Sequence, residues 1–318
     1  MLNVKIVNIT HGDDADGLTC AALLQRLFKA NTILANYDDL EAALASIGND
    51  VEKLYITDLN LREALLPQIQ KIRERSSITL IDHHSMQSTV KNKLQELGVE
   101  VIHDTRDCAS ILVYSTYLDD LKQDAAQIAV WAAIADMFED GPIASILLDH
   151  MDRKWAQHEA LILNHALGYN QSEQFKCYII ESLAKSLYPH QIKGASEAAF
   201  LQLERLVQIK KLVPDKATRA GRFAYMECGD DLSTGEVANI IMDALGVDIG
   251  VCYKYDGDWV NISFRGERKL PEHLGDIAAK LSEKYGGFGG GHNRAAGAKI
   301  HKNRFSEFKS DFSNQINQ

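Results

Sequence analysis

Paired cysteines, long apolar runs and an excess of positive charge are all missing from this chain of 318 residues. Its five cysteines (Cys20, Cys108, Cys177, Cys228 and Cys252) are odd in number, widely spaced and contain no C-x-x-C pair. This argues against a disulfide framework or a thiolate zinc site and fits reduced intracellular thiols. No apolar run approaches the roughly 18 residues of a membrane span. The opening residues lack the basic-then-apolar pattern of a signal peptide. A cytoplasmic protein with no membrane partner is expected. With 34 Lys and Arg against 44 Asp and Glu, the formal net charge is −10. Tracking a long nucleic acid needs many cations along one surface, so long duplex is not an expected partner. A short nucleotide needs only a local basic pocket. Internal repeats and a low-complexity tail are also absent.

What is present is ordinary for a globular chain. Hydrophobic residues at 46% and charged ones at 25% suffice for a sizeable core, and the length suggests two domains. Over the first 110 residues, β-prone runs at 4–10, 32–36, 53–58, 77–82 and 99–103 alternate with helical patterns such as GLTCAALLQRLFKA and LREALLPQIQKIRER. That alternation predicts an α/β fold with a parallel sheet covered on both faces. From Cys108 to about Lys211 the pattern turns mainly helical, and Pro214 is expected to end the last helix. Further strands at 221–228, 248–256 and 258–265, the last two joined as a hairpin at Gly257, and helices at 235–245 and 272–285 predict a smaller α/β unit. The expected division is 1–189, a helical connector at 190–214, and 215–318.

In open parallel sheets, ligands bind beyond the carboxyl ends of the strands. Three polar clusters fall there: HGDDADG (11–17), Asp58 in YITDLN, and Asp82-His83-His84 in LIDHHSM. Each alone has a plainer reading, as an acidic turn, a helix cap or strand-end polar structure. Together they crowd carboxylates that would repel one another and become partly protonated unless cations sat among them. Asp14, Asp16, Asp58 and Asp136 carry a formal −4 that two divalent ions would balance, although Asp136, from AAIADMFED, reads on spacing alone as a helix-end carboxylate facing water. Oxygen-rich ligands with one or two imidazoles suit manganese or magnesium better than zinc. In FGGGHNRAAG, consecutive glycines let backbone amides approach an anion closely, although a flexible turn is the alternative.

The motifs DDADG, TDLN, DHH and IAD, in that order, resemble those of the DHH phosphoesterase family. GGGHNRAAG (289–297) resembles the signature of the C-terminal domain that accompanies many members. The resemblance implies an N-terminal parallel-sheet catalytic domain and a smaller C-terminal domain with a mixed sheet, with the active site in the cleft between them. It implies two divalent metal ions, usually Mn2+, with Mg2+ or Co2+ as alternatives. One would be held by His11, Asp14 and Asp58, the other by Asp16, Asp58, His83 and Asp136. Because only Gly12 and Asp13 separate His11 from Asp14, Asp13 could replace His11. Asp82 and His84 are the catalytic candidates, with His84 donating to a phosphate oxygen or to the leaving group. Arg265, Gly289, Gly290, Gly291, His292 and Arg294 are candidates for binding substrate; Arg265 could equally be a solvated strand-end charge. Arg106 and Ser110 occupy the place of a family segment lining the substrate site. The family also implies a homodimer built through the first domain.

The expected function is hydrolysis of short linear nucleotides, such as pGpG and short oligoribonucleotides, to mononucleotides by a metal-bridging hydroxide. A pAp 3′-phosphatase, a cyclic-dinucleotide phosphodiesterase, and a catalytically silent nucleotide-binding regulator are the alternatives.

Overall fold

A computed structural model describes residues 5–229 and 232–317; Val4, where the first strand was expected to begin, lies outside the described residues. The chain divides into two compact units, Met1–Gln202 and Leu203–Gln318.

The first unit runs β1 (Ile6–His11), α1 (Ala15–Phe28), β2 (Asn31–Ala35), α2 (Leu40–Ala45), β3 (Lys53–Thr57), α3 (Leu66–Arg73), β4 (Ser77–Asp82), α4 (Ser88–Glu96), β5 (Glu100–His103), α5 (Ala109–Thr116), α6 (Gln123–Ala135), α7 (Ala144–Asp149), α8 (Arg153–Tyr169), α9 (Glu173–Ala184) and α10 (Ala195–Lys216). Its five strands are all parallel, in the order β2-β1-β3-β4-β5. Alternate strand residues serve two cores. Val7, Ile9, Leu54, Ile56, Ile78 and Leu80 pack with α2, α3 and α4, while Tyr55 and Ile81 pack with α1, α5, α6, α8 and α9. Burial on both faces is why these strands read as nearly continuous apolar runs.

Helix α1 lies directly on the sheet. Its Leu18, Leu23 and Leu24 are fully buried, each contributing about 1.5–3 kcal/mol. Gly17 allows the approach, since a Cβ there would fall 2.1 Å from the carbonyl oxygen of His11. The start of α1 is thereby pressed against the end of β1.

The second unit contains β6 (Thr218–Ala220), β7 (Phe223–Glu227), α11 (Thr234–Leu245), β8 (Ile249–Asp256), β9 (Trp259–Gly266), α12 (Leu274–Lys284), β10 (Phe288–Gly291), β11 (Ala295–His301) and α13 (Phe305–Ile316). The sheet order is β10-β11-β9-β8-β7-β6; only β7 and β8 pair in parallel, so the sheet is mixed as expected. Helices α12 and α13 cover one face and α11 the other. No helix among the described residues is long and apolar enough to cross a membrane.

Three local expectations change. The helix expected to stop at Pro214 runs to Lys216, because Val213 is fully buried and its carbonyl still accepts from the Ala217 amide at 2.9 Å. A proline removes one donor without preventing that bond. The unit boundary falls inside this helix. The glycine-rich segment is not a free loop: Gly289, Gly290 and Gly291 form an edge strand paired with Ala296–Ala298. Asp58, expected as the last residue of β3, leaves the strand with φ +56°. The Gly257 hairpin is present, with φ +59° at the turn.

Candidate metal centre

The direction of strand addition reverses between β1 and β3, the crevice where open sheets take ligands. His11 ends β1 and Asp58 follows β3. Asp82 ends β4, and His83 and His84 follow it. Local sequence puts each residue at its own strand end; the parallel register puts the ends side by side.

Three groups of side chains share Asp58: two candidate ligand groups, the first His11, Asp14 and Asp58 and the second Asp16, Asp58 and His83, and beside them Asp58, Asp82 and His84. In the first, His11 Nδ1 lies 2.6 Å from Asp14 Oδ2 and 3.7 Å from Asp58 Oδ2. In the second, His83 Nε2 lies 3.2 Å from Asp58 Oδ1, 3.6 Å from Asp136 Oδ2 and 3.9 Å from Asp16 Oδ2. Asp136 thus arrives from the end of α6 at the same imidazole.

Asp13 is absent from both groups. It pairs with Lys176 of α9, whose Nζ lies 2.7 Å from Asp13 Oδ1. Lys176 is buried, and a buried ammonium needs such a partner. Asp14 is held differently: besides facing His11, it accepts the Gly17 amide at 3.0 Å and caps α1.

The electrostatics reflect the crowding. Burial and the Asp58 charge push the Asp16 carboxyl up to about 6. Burial, with Asp16, Asp14 and Asp58 nearby, pushes Asp136 well above the carboxylate range. Burial works against a charged His83, but the hydrogen bond to Asp58 and the charges of Asp136, Asp16 and Asp58 raise it to about 10. Burial also opposes ionisation of Asp14, yet the His11 imidazolium holds its carboxyl well below the usual range.

The donor set fits divalent cations. Both Asp58 carboxylate oxygens and Asp136 Oδ2 are buried, and what they face is the imidazoles of His11 and His83. Several buried carboxylates sharing two imidazoles are costly, and a cation is the direct remedy. The +56° φ at Asp58 is a second cost at the same residue. It is sustained because the Asp58 amide continues the sheet ladder to Ile81 at 3.0 Å.

Around this group sit further residues. Asp82, fully buried, receives His84 Nδ1 at 2.9 Å. Burial pushes Asp82 up, but the His84 charge prevails and lowers it, while Asp82 in turn raises His84 despite burial. The His84 carbonyl takes His103 Nε2 at 2.7 Å, fixing the backbone too. Tyr37, unremarked in the sequence, lies after β2 with its ring centroid 6.1 Å from His11 and 6.0 Å from His84. Its strand-end position was the available signal; Lys176, mid-helix and 163 residues from Asp13, offered none.

Ser110 is fully buried and presents no surface to a substrate. Its amide and that of Ala109 instead donate to Asp16 Oδ1 and Oδ2 at 2.9 and 2.8 Å, at the start of α5. Arg106 is exposed and pairs with Asp104 at 2.6 Å.

In the second unit, Ala295 pairs with Arg265, and Gly291 with Ala296. Arg265, Gly289, Gly290, Gly291, His292 and Arg294 therefore share one region of the sheet. The Arg265 guanidinium crosses the start of α11: a Cβ on Gly235 would fall 2.5 Å from its Nη2. The turn is pinned, with the Leu274 and Gly275 amides donating to the Asn293 and His292 carbonyls at 3.0 and 3.1 Å.

Comparison with known proteins adds the following. The family described as "DHHA1 domain" matches residues 221–318. No curated protein sequence matches the chain. Among solved structures, it is similar to a DHH domain described as a member of the S1p family of ribosomal proteins, with TM-score 0.77 and 16% identity over 99% of this chain and 87% of that one. It is similar to the manganese complex of RecJ from Thermus thermophilus, with TM-score 0.62 and 17% identity over 98% of this chain and 52% of RecJ. It is also similar to PggH, a pGpG-specific phosphodiesterase from Vibrio cholerae, with TM-score 0.56 and 15% identity over 98% of this chain and 99% of that one. At such identities the likenesses concern the fold, and the alternation of strands and helices, the motif order and the C-terminal match agree. Residues 221–318 match the DHHA1 domain family, and the chain shares the DHH–DHHA1 fold of these structures.

Proposed function

We propose that the chain is a metal-dependent phosphodiesterase that hydrolyses short linear nucleotides, dinucleotides such as pGpG and short oligoribonucleotides, to mononucleotides. The observation that carries this reading is the pair of ligand groups meeting at Asp58, whose buried oxygens face the imidazoles of His11 and His83. The RecJ structures with Mn2+ and Mg2+ and the pGpG-specific PggH support the choice of metal and substrate class.

His11, Asp14 and Asp58 would hold one divalent cation, and Asp16, Asp58, His83 and Asp136 a second. Cations bound there supply the Lewis-acid and charge-neutralising chemistry of two-metal phosphoryl hydrolysis. Asp82 orients His84 through Nδ1, so Nε2 is the nitrogen that can donate to a phosphate oxygen or the leaving group. The Asp82 carboxylate raises the basicity of His84 despite its burial, which favours the proton-donating form. Arg265, with a forked set of donors, and the segment from Gly289 to Arg294 would grip a substrate phosphate. The net charge of −10 disfavours a long polymer and leaves a short substrate.

The test incubates purified protein and Mn2+, Mg2+ or Co2+ with pGpG, pApA, longer RNA, pAp, a cyclic dinucleotide and pyrophosphate. Preferred cleavage of the dinucleotides is expected. Preference for pAp would make the chain a 3′-phosphatase, and turnover of none would end the enzyme reading.

A further inference from the structure

Asp107 is 1% exposed, yet it belongs to neither ligand group. Its two carboxylate oxygens accept the amides of Ile143 and Ala144, each at 3.0 Å. These amides close the segment that begins at Asp136. That segment departs from α6 through Met137, with φ +60°, and places the Phe138 ring 4.8 Å from that of His83. It then passes directly over Asp107: a Cβ on Gly141 would fall 2.1 Å from Asp107 Oδ1.

Two residues beyond Asp107, the amides of Ala109 and Ser110 grip both oxygens of Asp16. Residues 107–110 are therefore a short strap, bonded at one end to the segment carrying Asp136 and at the other to Asp16. Both of those carboxylates approach His83 Nε2. Among the described residues the strap makes no such bond to His11 or Asp14, which are fixed by each other and by the cap of α1.

We propose that Asp107 is a positioning residue that sets the separation of Asp16 and Asp136, and so builds the His83 half of the centre while leaving the His11 half unaffected. This rests on the two-ion reading above for its consequence in metal binding, but not for its geometry. Outer groups that orient metal ligands typically alter affinity by about 10–100-fold. Replacing Asp107 would release two amides at once, and the Asp136 segment would lose its anchor.

The experiment uses the full chain, with Asp107→Ala, Asp107→Asn and Gly141→Ala. The glycine variant displaces the segment from the same carboxylate while keeping Asp107, so it serves if Asp107→Ala fails to fold. The first readout is the NMR spectrum of labelled histidine rings in the metal-free protein. His83 should shift in the variants while His11 stays in place; an unmoved His83, or equal movement of both, would overturn the proposal whether or not metal binds. The second readout is Mn2+ titration followed by electron paramagnetic resonance. One ion should retain wild-type affinity within about 2-fold and the other weaken about 10–100-fold, with Asp107→Asn intermediate because it keeps one acceptor oxygen. Equal weakening of both ions would overturn the proposal. Wild-type protein that binds fewer than two ions would instead refute the two-ion reading, leaving the histidine spectra to decide the role of Asp107.

Discussion

The first unit buries Asp16, Asp58, Asp82, His83, Asp107, Glu159 and Lys176, whereas among the described residues of the second unit the buried polar side chain is Ser282. Both units nevertheless have sheets with apolar cores on two faces. The difference teaches where stability has been exchanged for chemistry. Glu159 is fully bonded, receiving Trp155 Nε1 at 2.8 Å and the His190 backbone amide at 3.1 Å, so its burial is structural. The Asp58 oxygens face imidazoles instead of such fixed donors, an arrangement that suits a cation. In the second unit the candidate binding residues lie on a sheet edge and a turn, outside a core built from Phe223, Phe264, Phe308 and Phe312.

The largest expected effect comes from removing the shared carboxylate. Asp58→Asn should reduce Mn2+-dependent turnover on the order of 10³-fold or more, as loss of a central catalytic group does. Asparagine tolerates the left-handed backbone, so the metal-free variant should still fold. Mn2+ at about 100 times its Kd should add about 2.7 kcal/mol to the wild type and little to the variant. Thermal melts with and without Mn2+, beside hydrolysis assays, check both; a variant that stays active refutes the site assignment.

Breaking the second unit should have the opposite signature. Phe264 is 1% exposed and its ring lies 4.9 Å from that of Phe312. Phe264→Ala should cost about 3–5 kcal/mol, with faster hydrogen exchange confined to the second unit and Mn2+ uptake unchanged. Loss of Mn2+ binding would show that the centre does not belong to the first unit alone.

The smallest effect is a pH slope away from the centre. Arg26 donates to Asp124 at 2.8 and 3.0 Å and holds its carboxyl down to about 2, against an ordinary 3.8. The depressed acid contributes stability that is complete above pH 4 or so and is lost as pH falls through about 2. Asp124 is 42% exposed, so the contribution is under about 1 kcal/mol. Urea unfolding at pH 5 and pH 3 should show a slightly smaller acid loss for Arg26→Ala, and an unchanged loss would dismiss the pair.

Much of this was legible because the signals are local. The five strands of the first unit appear within a residue or two of their expected positions, since burial on both faces writes them as apolar runs. Asp82 ends β4 with His83 next to it, and Asp14 and Asp16 open α1 directly after β1, where turn and cap residues are expected. The role of the 107–110 segment was misread because its chemistry is carried by amides of Ala109 and Ser110, and a backbone N–H leaves no trace in residue type. The glycine segment's sequence leaves an anion-approaching backbone and a flexible turn both open because glycine permits either; pairing with Ala296–Ala298 is a long-range choice.

By itself the sequence determined two α/β units, their apolar faces and a set of carboxylates and imidazoles at successive strand ends, because periodicity and turn chemistry act over a few residues. Only the tertiary structure decided which of those groups meet. The parallel register brought Asp58 between His11 and His83. Lys176, arriving from α9, drew Asp13 aside. The physical reason is that an ion pair between residues 163 positions apart depends on how helices pack, which no local pattern encodes.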